Sequence, residues 1–507
     1  MKKPFVYLVG GGPGDIGLIT LKGVDCLSKA DCVIYDGLVN PQILDFVPAD
    51  AEKIAVAKRG GRDSIPQEQI NDLLVQHALS GQIVVRLKGG DPTLFARAAE
   101  ELKALRDAGI GFEIVPGITA GVAAAQYSGI FLTDRELSSQ VVFVTGHPAA
   151  GKDLDFIDWQ WLGRFEGTIV LYMAMSNLEK IAERLITCGK DANMSVAVIQ
   201  NATLPDQKLA KGALKEIDGI CKKEGVSSPA IVIIGKTADN DAANNWFMNR
   251  PLFGKSIVIT RDKAGNQRLS QLLWQNAASV IDFSCIEIKG PIESQLLTQA
   301  IRDLSDYDWI IFTSSHGVDF TFDLLQKKNK DSRAFGSAKI ACIGDQTAQA
   351  LLKYGIRADF VPTEFTAKVL AVQLSEKADL RRQNILLLRS AIASDELAND
   401  LRRKGAAVED IRIYTAVPVV QDEVKRAELA DLLKAGRIDW LTFTSSSTVD
   451  GFLKNMDIEM VKQSNVKIAS IGPETTKKLY EYSLTVHVEA QIYTVEGLVE
   501  SITDYKM

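Results

Sequence analysis

Short apolar runs that end in glycine recur along the first part of the chain. Val6-Tyr7-Leu8-Val9 runs into Gly10-Gly11-Gly12-Pro13-Gly14-Asp15. Ile83-Val84-Val85-Arg86-Leu87-Lys88 runs into Gly89-Gly90-Asp91-Pro92, and Phe112-Glu113-Ile114-Val115 into Pro116-Gly117-Ile118-Thr119-Ala120. Apolar runs of this length, bounded by turn residues, predict buried strands. Thr20 stands before Leu21-Lys22-Gly23-Val24-Asp25-Cys26-Leu27, which predicts a helix capped by Thr20. Asp31-Cys32-Val33-Ile34-Tyr35-Asp36 predicts a second strand with a carboxylate at its end. Ser64 or Ile65 before Pro66-Gln67-Glu68 marks a helix start. A further helix is expected over 94–108, with Gly109 as its stop. In open α/β sheets, glycine loops at the carboxyl ends of strands line the ligand crevice.

A second subdomain is expected from about Arg135, with strands at Val141–Thr145, Thr168–Met173, Ser195–Ile199 and Pro229–Ile234. The polar stretch Thr237–Arg250 reads as the approach to a linker, placed at 246–254. Beyond it the pattern repeats. Asp308-Trp309-Ile310-Ile311-Phe312-Thr313-Ser314-Ser315 returns as Asp439-Trp440-Leu441-Thr442-Phe443-Thr444-Ser445-Ser446. Lys339-Ile340-Ala341-Cys342-Ile343-Gly344 returns as Lys467-Ile468-Ala469-Ser470-Ile471-Gly472, and strands ending in Arg261 and Arg389 match as well. Each recurrence lies roughly 130 positions on, as expected for one duplicated unit. Strands alternating with helical stretches such as 346–354 and 474–482 predict parallel sheets covered on both faces.

The chain of 507 residues has room for about three or four domains of ~150 residues. Its 46% hydrophobic and 24% charged content is that of a soluble globular protein. No apolar run reaches the ~18 residues of a membrane span, and the N-terminus shows no signal-peptide pattern. The six cysteines lie far apart without a C-x-x-C, so they read as buried thiols of a cytoplasmic protein. With four scattered histidines no metal site is expected. The net charge of −6 speaks against nucleic-acid binding.

The first glycine loop carries the candidate chemistry. Gly12-x-Gly14-x-x-Gly17 fits a dinucleotide pattern, with Asp36 at about the usual ~20-residue distance. Pro13 lacks the N–H that a pyrophosphate wants, and Asp15 brings a carboxylate where phosphates would sit. A cationic ligand such as S-adenosylmethionine fits better; a tight turn without a ligand is the plain alternative. Ala57-Lys58-Arg59-Gly60-Gly61-Arg62 is a small basic loop, readable as a solvated turn. Both Thr-Ser-Ser segments sit where a strand gives way to a helix, suited to carboxylate binding or simply to capping.

Residues 1–245 closely resemble the uroporphyrinogen-III C-methyltransferases of the tetrapyrrole methylase family, with subdomains at about 1–134 and 135–245. The ordered motifs are Val9–Asp15, Leu18–Gly23, Tyr35-Asp36, Lys58-Arg59-Gly60, Pro66-Gln67-Glu68, Lys88–Pro92 and Val115–Ala120. The resemblance implies S-adenosylmethionine contacts at Pro13, Gly89, Gly90, Asp91, Leu94, Thr119, Ala120 and Met173. It adds Ala202, where the family usually has glycine; Gly11 stands where alanine is common. It also implies a proton acceptor at Asp36, a proton donor at Lys58 and a homodimer through this half. Arg59 and Arg62 are expected to hold substrate carboxylates, because arginine pairs with them in bidentate fashion.

Residues 255–507 resemble uroporphyrinogen-III synthase. The implied fold is two flavodoxin-like, doubly wound lobes, 255–287 with 418–507 and 288–417. The family's implicated tyrosine falls on Tyr414, in Ile413-Tyr414-Thr415-Ala416-Val417-Pro418. Cleft residues are expected at Thr313, Ser314, Arg389, Ser390, Thr444, Ser445 and Ser446, and no cofactor is required. Together the resemblances imply an α/β enzyme of two modules, acting on small-molecule tetrapyrroles. It would cyclise hydroxymethylbilane, then methylate uroporphyrinogen III twice, giving precorrin-2 for the siroheme or cobalamin branch. A nicotinamide oxidoreductase and a non-catalytic tetrapyrrole scaffold are the competing readings.

Overall fold

The computed structural model describes residues 3–56, 65–147, 154–239 and 241–505. The chain forms two compact units, Met1–Gly254 with Asn276–Ser279, and Lys255–Gln275 with Val280–Met507.

The first unit holds two five-stranded sheets. Strands β1 (Phe5–Gly10), β2 (Cys32–Tyr35), β3 (Glu52–Ala55), β4 (Ile83–Lys88) and β5 (Gly111–Val115) run in the order β3-β2-β4-β1-β5, all parallel. Val6, Leu8, Val9, Val33, Ile34, Val84, Val85 and Leu87 are fully buried, which explains the absence of polar alternation. Helices Gln67–Leu79 and Ala98–Asp107 pack on one face, where Leu74 and Leu105 are buried with Leu8 and Ile34. Thr20 caps helix Leu21–Ser28 as expected, its hydroxyl accepting from the Gly23 N–H.

The second sheet contains β6 (Val141–Thr145), β7 (Thr168–Tyr172), β8 (Ser195–Gln200), β9 (Lys208–Ala213) and β10 (Ala230–Ile234), ordered β6-β7-β10-β8-β9. Only β6 and β7 are parallel; β10 runs against both β7 and β8, and β9 against β8. Edge strands β3 and β9 carry too few apolar residues for the sequence pattern to reveal them.

The structure departs from two expectations in this unit. The helix expected from Leu94 begins at Ala98, because Phe95 and Arg97 have φ of 55°, incompatible with a right-handed helix. The stretch expected as a linker packs against the first unit. Phe247 is 2% exposed and sits edge-on to Tyr127 at 4.8 Å, and the Trp246 Nε1–H donates to the Gln126 carbonyl (2.9 Å).

The second unit also has two sheets. One contains β11 (Ser256–Ile259), β12 (Ser279–Asp282), β18 (Trp440–Phe443), β19 (Lys467–Ser470) and β20 (Val488–Glu489), in the order β12-β11-β18-β19-β20. The other contains β13 (Ile286–Lys289), β14 (Trp309–Phe312), β15 (Lys339–Cys342), β16 (Asn384–Ser390) and β17 (Ala407–Pro418), in the order β13-β17-β16-β14-β15. β13 pairs antiparallel with the end of β17, against the all-parallel expectation, with Ile286 opposite Pro418. That pairing moves the lobe boundaries outward, to 283–285 and 419–421. There the crossings are tied together: the Val419 N–H donates to the Cys285 carbonyl (2.9 Å) and Gln421 Nε2 to the Ser284 carbonyl (2.5 Å). All six cysteines are free thiols, and no helix among the described residues is long and apolar enough to cross a membrane.

Candidate functional site

The carboxyl ends of β1, β4 and β5 meet at their glycines. Gly12 and Gly90 exchange two backbone hydrogen bonds, Gly90 N–H to Gly12 carbonyl (2.7 Å) and Gly12 N–H to Gly90 carbonyl (3.2 Å). Gly117 lies so close that a Cβ there would come within 2.2 Å of the Gly90 carbonyl and 2.8 Å of Gly10 Cα. Side chains are excluded because backbone must pass backbone. Asp91 locks the arrangement. Its Oδ2 accepts from the Gly117 N–H (3.1 Å), and its Oδ1 from the Thr93 N–H (2.8 Å) and hydroxyl (2.5 Å). Burial works against its charge, but the bonds from Thr93, Gly117 and Leu94 outweigh it and hold the carboxyl below its usual range.

Across from these loops stand the ends of β7 and β8. The Tyr172 hydroxyl accepts from the Gly121 N–H (2.8 Å) and pairs with the Thr119 hydroxyl (2.7 Å), capping helix Ala120–Tyr127 from the other subdomain. Leu94, Ala120 and Ala202 pack in one apolar cluster with Tyr172. Met173 is 49% exposed with φ 53°, so it is not core filler. Five non-glycine residues on these loops (Phe95, Arg97, Met173, Asn201 and Thr203) have left-handed backbone, φ 49–71°. Such strain collects at functional sites. Contacts thus join the loops that carry Gly90, Asp91, Leu94, Thr119, Ala120 and Ala202, and Pro13, Gly89 and Met173 lie on the same loops, at the strand ends where such sheets form their ligand crevice.

Asp15 departs from expectation. A loop carboxylate facing a cationic ligand is the expectation, yet its Oδ2 accepts from the Tyr127 hydroxyl (2.7 Å) and its Oδ1 from the Gly17 N–H (2.8 Å). Its own N–H donates to Thr203 Oγ1 (2.9 Å). This carboxylate fixes the loop, and burial together with the Asp15 bond raises the Tyr127 pKa.

Beside the crevice, Asp36 belongs to a charge network that sequence reasoning missed. Arg86 Nη2 donates to Asp36 Oδ1 (2.5 Å), Arg86 Nε to Glu101 Oε1 (2.9 Å), and Lys88 Nζ to the same Glu101 oxygen (2.8 Å). Arg86 is 2% exposed and Glu101 fully buried. Burial opposes the charge on Arg86, but Asp36 and Glu101 outweigh it and raise its pKa; burial and the Arg86 charge lower that of Lys88. The available signal was two cations inside an otherwise apolar strand, since a buried charge needs a partner. Lys58, Arg59 and Arg62 lie outside the described residues.

In the second unit, Tyr414 is 7% exposed and its hydroxyl donates to Ser314 Oγ (2.8 Å). Burial raises its pKa, opposed by bonding to Ser314 and Ser390. Both Thr-Ser-Ser segments cap helices. Ser314 Oγ accepts from the Gly317 N–H (3.1 Å), and Ser445 forms a capping box with Thr448, opening Ser446–Leu453. Thr313, Ser390 and Thr444 are half-buried at strand ends, and Ser446 is half-buried at its helix start. Arg389, expected in the cleft, is corrected: it is 2% exposed and clamped on Asp410 through Nε (2.6 Å) and Nη2 (2.5 Å), with Nη1 on the Ser394 carbonyl. Its guanidinium holds the loop after β16.

Comparison with known proteins agrees with this division. The family model described as tetrapyrrole (corrin/porphyrin) methylases matches residues 6–218, and that of uroporphyrinogen-III synthase HemD matches 267–500. The "porphyrin biosynthesis protein HemD" of Ruminiclostridium josui is 35% identical over 505 residues, covering 99% of this chain and 98% of its own. The uroporphyrinogen-III C-methyltransferase of Bacillus subtilis (strain 168) is 36% identical over 356 residues, 70% of this chain and 72% of its own. A uroporphyrin-III C-methyl transferase from Thermus thermophilus, solved with S-adenyl homocysteine, is 35% identical. It covers 46% of this chain and 97% of its own, with a TM-score of 0.39.

Proposed function

The chain belongs to the porphyrin-biosynthesis proteins that join a tetrapyrrole methylase to a uroporphyrinogen-III synthase, and from that premise we propose that its second half closes hydroxymethylbilane to uroporphyrinogen III, which its first half then methylates at two ring carbons. The product is precorrin-2, a precursor on the siroheme and cobalamin branch. The observation that carries the methyl-transfer reading is the crevice where the glycine loops of β1, β4 and β5 interlock.

S-adenosylmethionine suits this crevice. The loops at 10–15, 89–95, 117–120, 172–174 and 200–204 contain no lysine or arginine, and the ionised Asp91 stands at their centre. That is poor ground for a pyrophosphate and good ground for a cation. Pro13, Gly89, Gly90, Asp91, Leu94, Thr119, Ala120, Met173 and Ala202 would hold the donor, which supplies an electrophilic methyl group when bound. Most of the acceleration is then alignment of that methyl with a pyrrole carbon in a dry site. Asp36 takes the proton that must leave the ring system, oriented by Arg86. Lys58 is the proposed donor, with Arg59 and Arg62 on the substrate's carboxylates. In the synthase half, Tyr414 gives a proton to the departing hydroxyl, with Thr313, Ser314, Ser390, Thr444, Ser445 and Ser446 around the tetrapyrrole. That half needs no cofactor in this scheme, the protein works in the cytoplasm, and it pairs as a homodimer through the methyltransferase half.

One coupled assay tests the whole. Hydroxymethylbilane plus S-adenosylmethionine should give a doubly methylated type III product, scored by mass and isomer analysis. Type I isomer alone would end the synthase reading, and unmethylated type III alone the transferase reading. Asp36→Asn keeps the side chain's shape but removes its basicity. It should slow methyl transfer by about 10²-fold or more and leave isomer III formation unchanged; undiminished methylation would remove Asp36 from the proton transfer.

A further inference from the structure

The turn after β14 reads Thr313-Ser314-Ser315-His316-Gly317, whereas its repeat reads Thr444-Ser445-Ser446-Ser447-Thr448. The duplicated unit therefore carries an imidazole in one copy only. His316 is the second residue of helix Ser315–Lys327, and its ring stands edge-on to Tyr414, centroids 5.7 Å apart at 61°. Phe320 packs against Tyr414 from the next turn, at 5.9 Å. The residue is half-buried, not sealed in the core.

We propose that His316 is the proton acceptor of the synthase half, working beside Tyr414 as its acid. This rests on the synthase reading given above. Closing a linear tetrapyrrole to the type III isomer with loss of water breaks one C–O bond, one C–H bond and the C–C bond between the terminal pyrrole and its methylene bridge, and forms two C–C bonds. Tyr414 O–H supplies a proton to the hydroxyl, which leaves with the C–O electron pair as water. The electron-deficient methylene carbon bonds to the α-carbon of the terminal pyrrole that already carries a methylene bridge; that old bridge bond then breaks, and the freed bridge carbon, now electron-deficient, bonds to the pyrrole's other α-carbon, which carries a hydrogen. The hydrogen on the carbon where aromaticity is restored must then leave as a proton, its electron pair staying in the ring. His316 takes that proton and passes it to the Tyr414 oxygen, so both groups end as they began. The net change is one water lost.

The surroundings favour this division. Burial raises the Tyr414 pKa and lowers that of His316 below its ordinary 6.5, so one stays protonated and the other neutral near pH 7. Arg261 and Asp262 follow β11, with Arg261 working against the imidazolium and Asp262 for it; Asp319 on its own helix also favours it, more weakly. The helix N-terminus adds further positive potential at the ring.

The test is the pH dependence of isomer III formation in the full-length protein and in His316→Gln and His316→Asn. The wild-type rate should fall on the acid side, below pH 6.5, as His316 protonates. Both variants should lose that limb and about 10²-fold in kcat, while still methylating supplied uroporphyrinogen III at the wild-type rate. A variant that keeps both the limb and the rate overturns the proposal. So does one that changes KM alone, which would make His316 a packing residue. Wild-type protein yielding only type I isomer would instead sink the synthase reading itself. If one substitution unfolds the second unit, judged by loss of that unit's own thermal transition while methyl transfer persists, the other decides.

Discussion

Gly117→Ala is expected to abolish methyl transfer while leaving isomer III formation at its normal rate. The new Cβ would lie 2.2 Å from the Gly90 carbonyl oxygen and 2.8 Å from Gly10 Cα. Every one of these neighbours is backbone, so no flexible side chain can swing aside. Gly90 is itself bonded to Gly12 in both directions, and Gly117 to Asp91, so a shift at one loop moves the others. Overpacking of this sort costs about 1–3 kcal/mol in stability, which a unit of this size survives. A displacement of about 1 Å at a positioning site costs roughly 10²-fold in rate, and here the whole donor crevice moves. Calorimetry with S-adenosylhomocysteine should show binding lost. Gly219→Ala, where a Cβ meets nothing within 4 Å, is the neutral control. Near-normal methylation by the Gly117 variant would mean that the crevice is not the donor site.

The largest stability loss is expected from Glu101→Gln. Glu101 is fully buried and one of its oxygens accepts from both Arg86 and Lys88. Without its charge two buried cations face each other, with only the part-exposed Asp36 to offset them. Breaking a buried ion pair from one side costs about 3–5 kcal/mol. The sign of the pH dependence follows from Lys88, whose pKa is already lowered in the folded state. In the variant it is lowered further. The unfolded chain then binds more protons than the folded one between the lowered folded-state value of Lys88 and the ordinary lysine value of 10.5. Stability must therefore rise with pH across that window, and the gap to wild type narrows. Urea titrations scored by each activity would separate the units: methyl transfer should be lost at lower urea than in wild type, with isomer III formation unmoved. An unchanged midpoint for methyl transfer would show that the network does not hold the first unit together. Lower methyl-transfer rates are expected even in the folded variant, because Arg86 would no longer be held on Asp36.

The two positions were unequally visible beforehand. Gly117 announced itself, because a strand followed by Pro-Gly is a loop signal that needs no neighbours to be read. Glu101 looked like any acidic residue in the first turns of a helix. Only its partners, distant along the chain, make it the centre of a network. Asp15 misled for a related reason: its place in a glycine loop suggested a ligand contact, but Tyr127, more than a hundred residues on, occupies the carboxylate. Arg389 matched a cleft position by sequence and lies beneath it, because Asp410 on the neighbouring strand claims both faces of the fork.

Local chemistry, written in consecutive residues, was enough to establish the duplicated α/β plan, most buried strands, the helix caps and the three glycine loops. Each depends on spacing within a few positions and on backbone preferences that travel with the residue. The direction of β8, β9, β10 and β13, the late start of the helix at Ala98, and the pairing of Asp36 with Arg86 were settled only in three dimensions. So was the meeting of His316 with Tyr414, which stand on different elements. Strand direction is chosen by which neighbour completes the sheet, and a charge's role by which opposite charge is buried beside it. Neither choice leaves a mark in the residues next door.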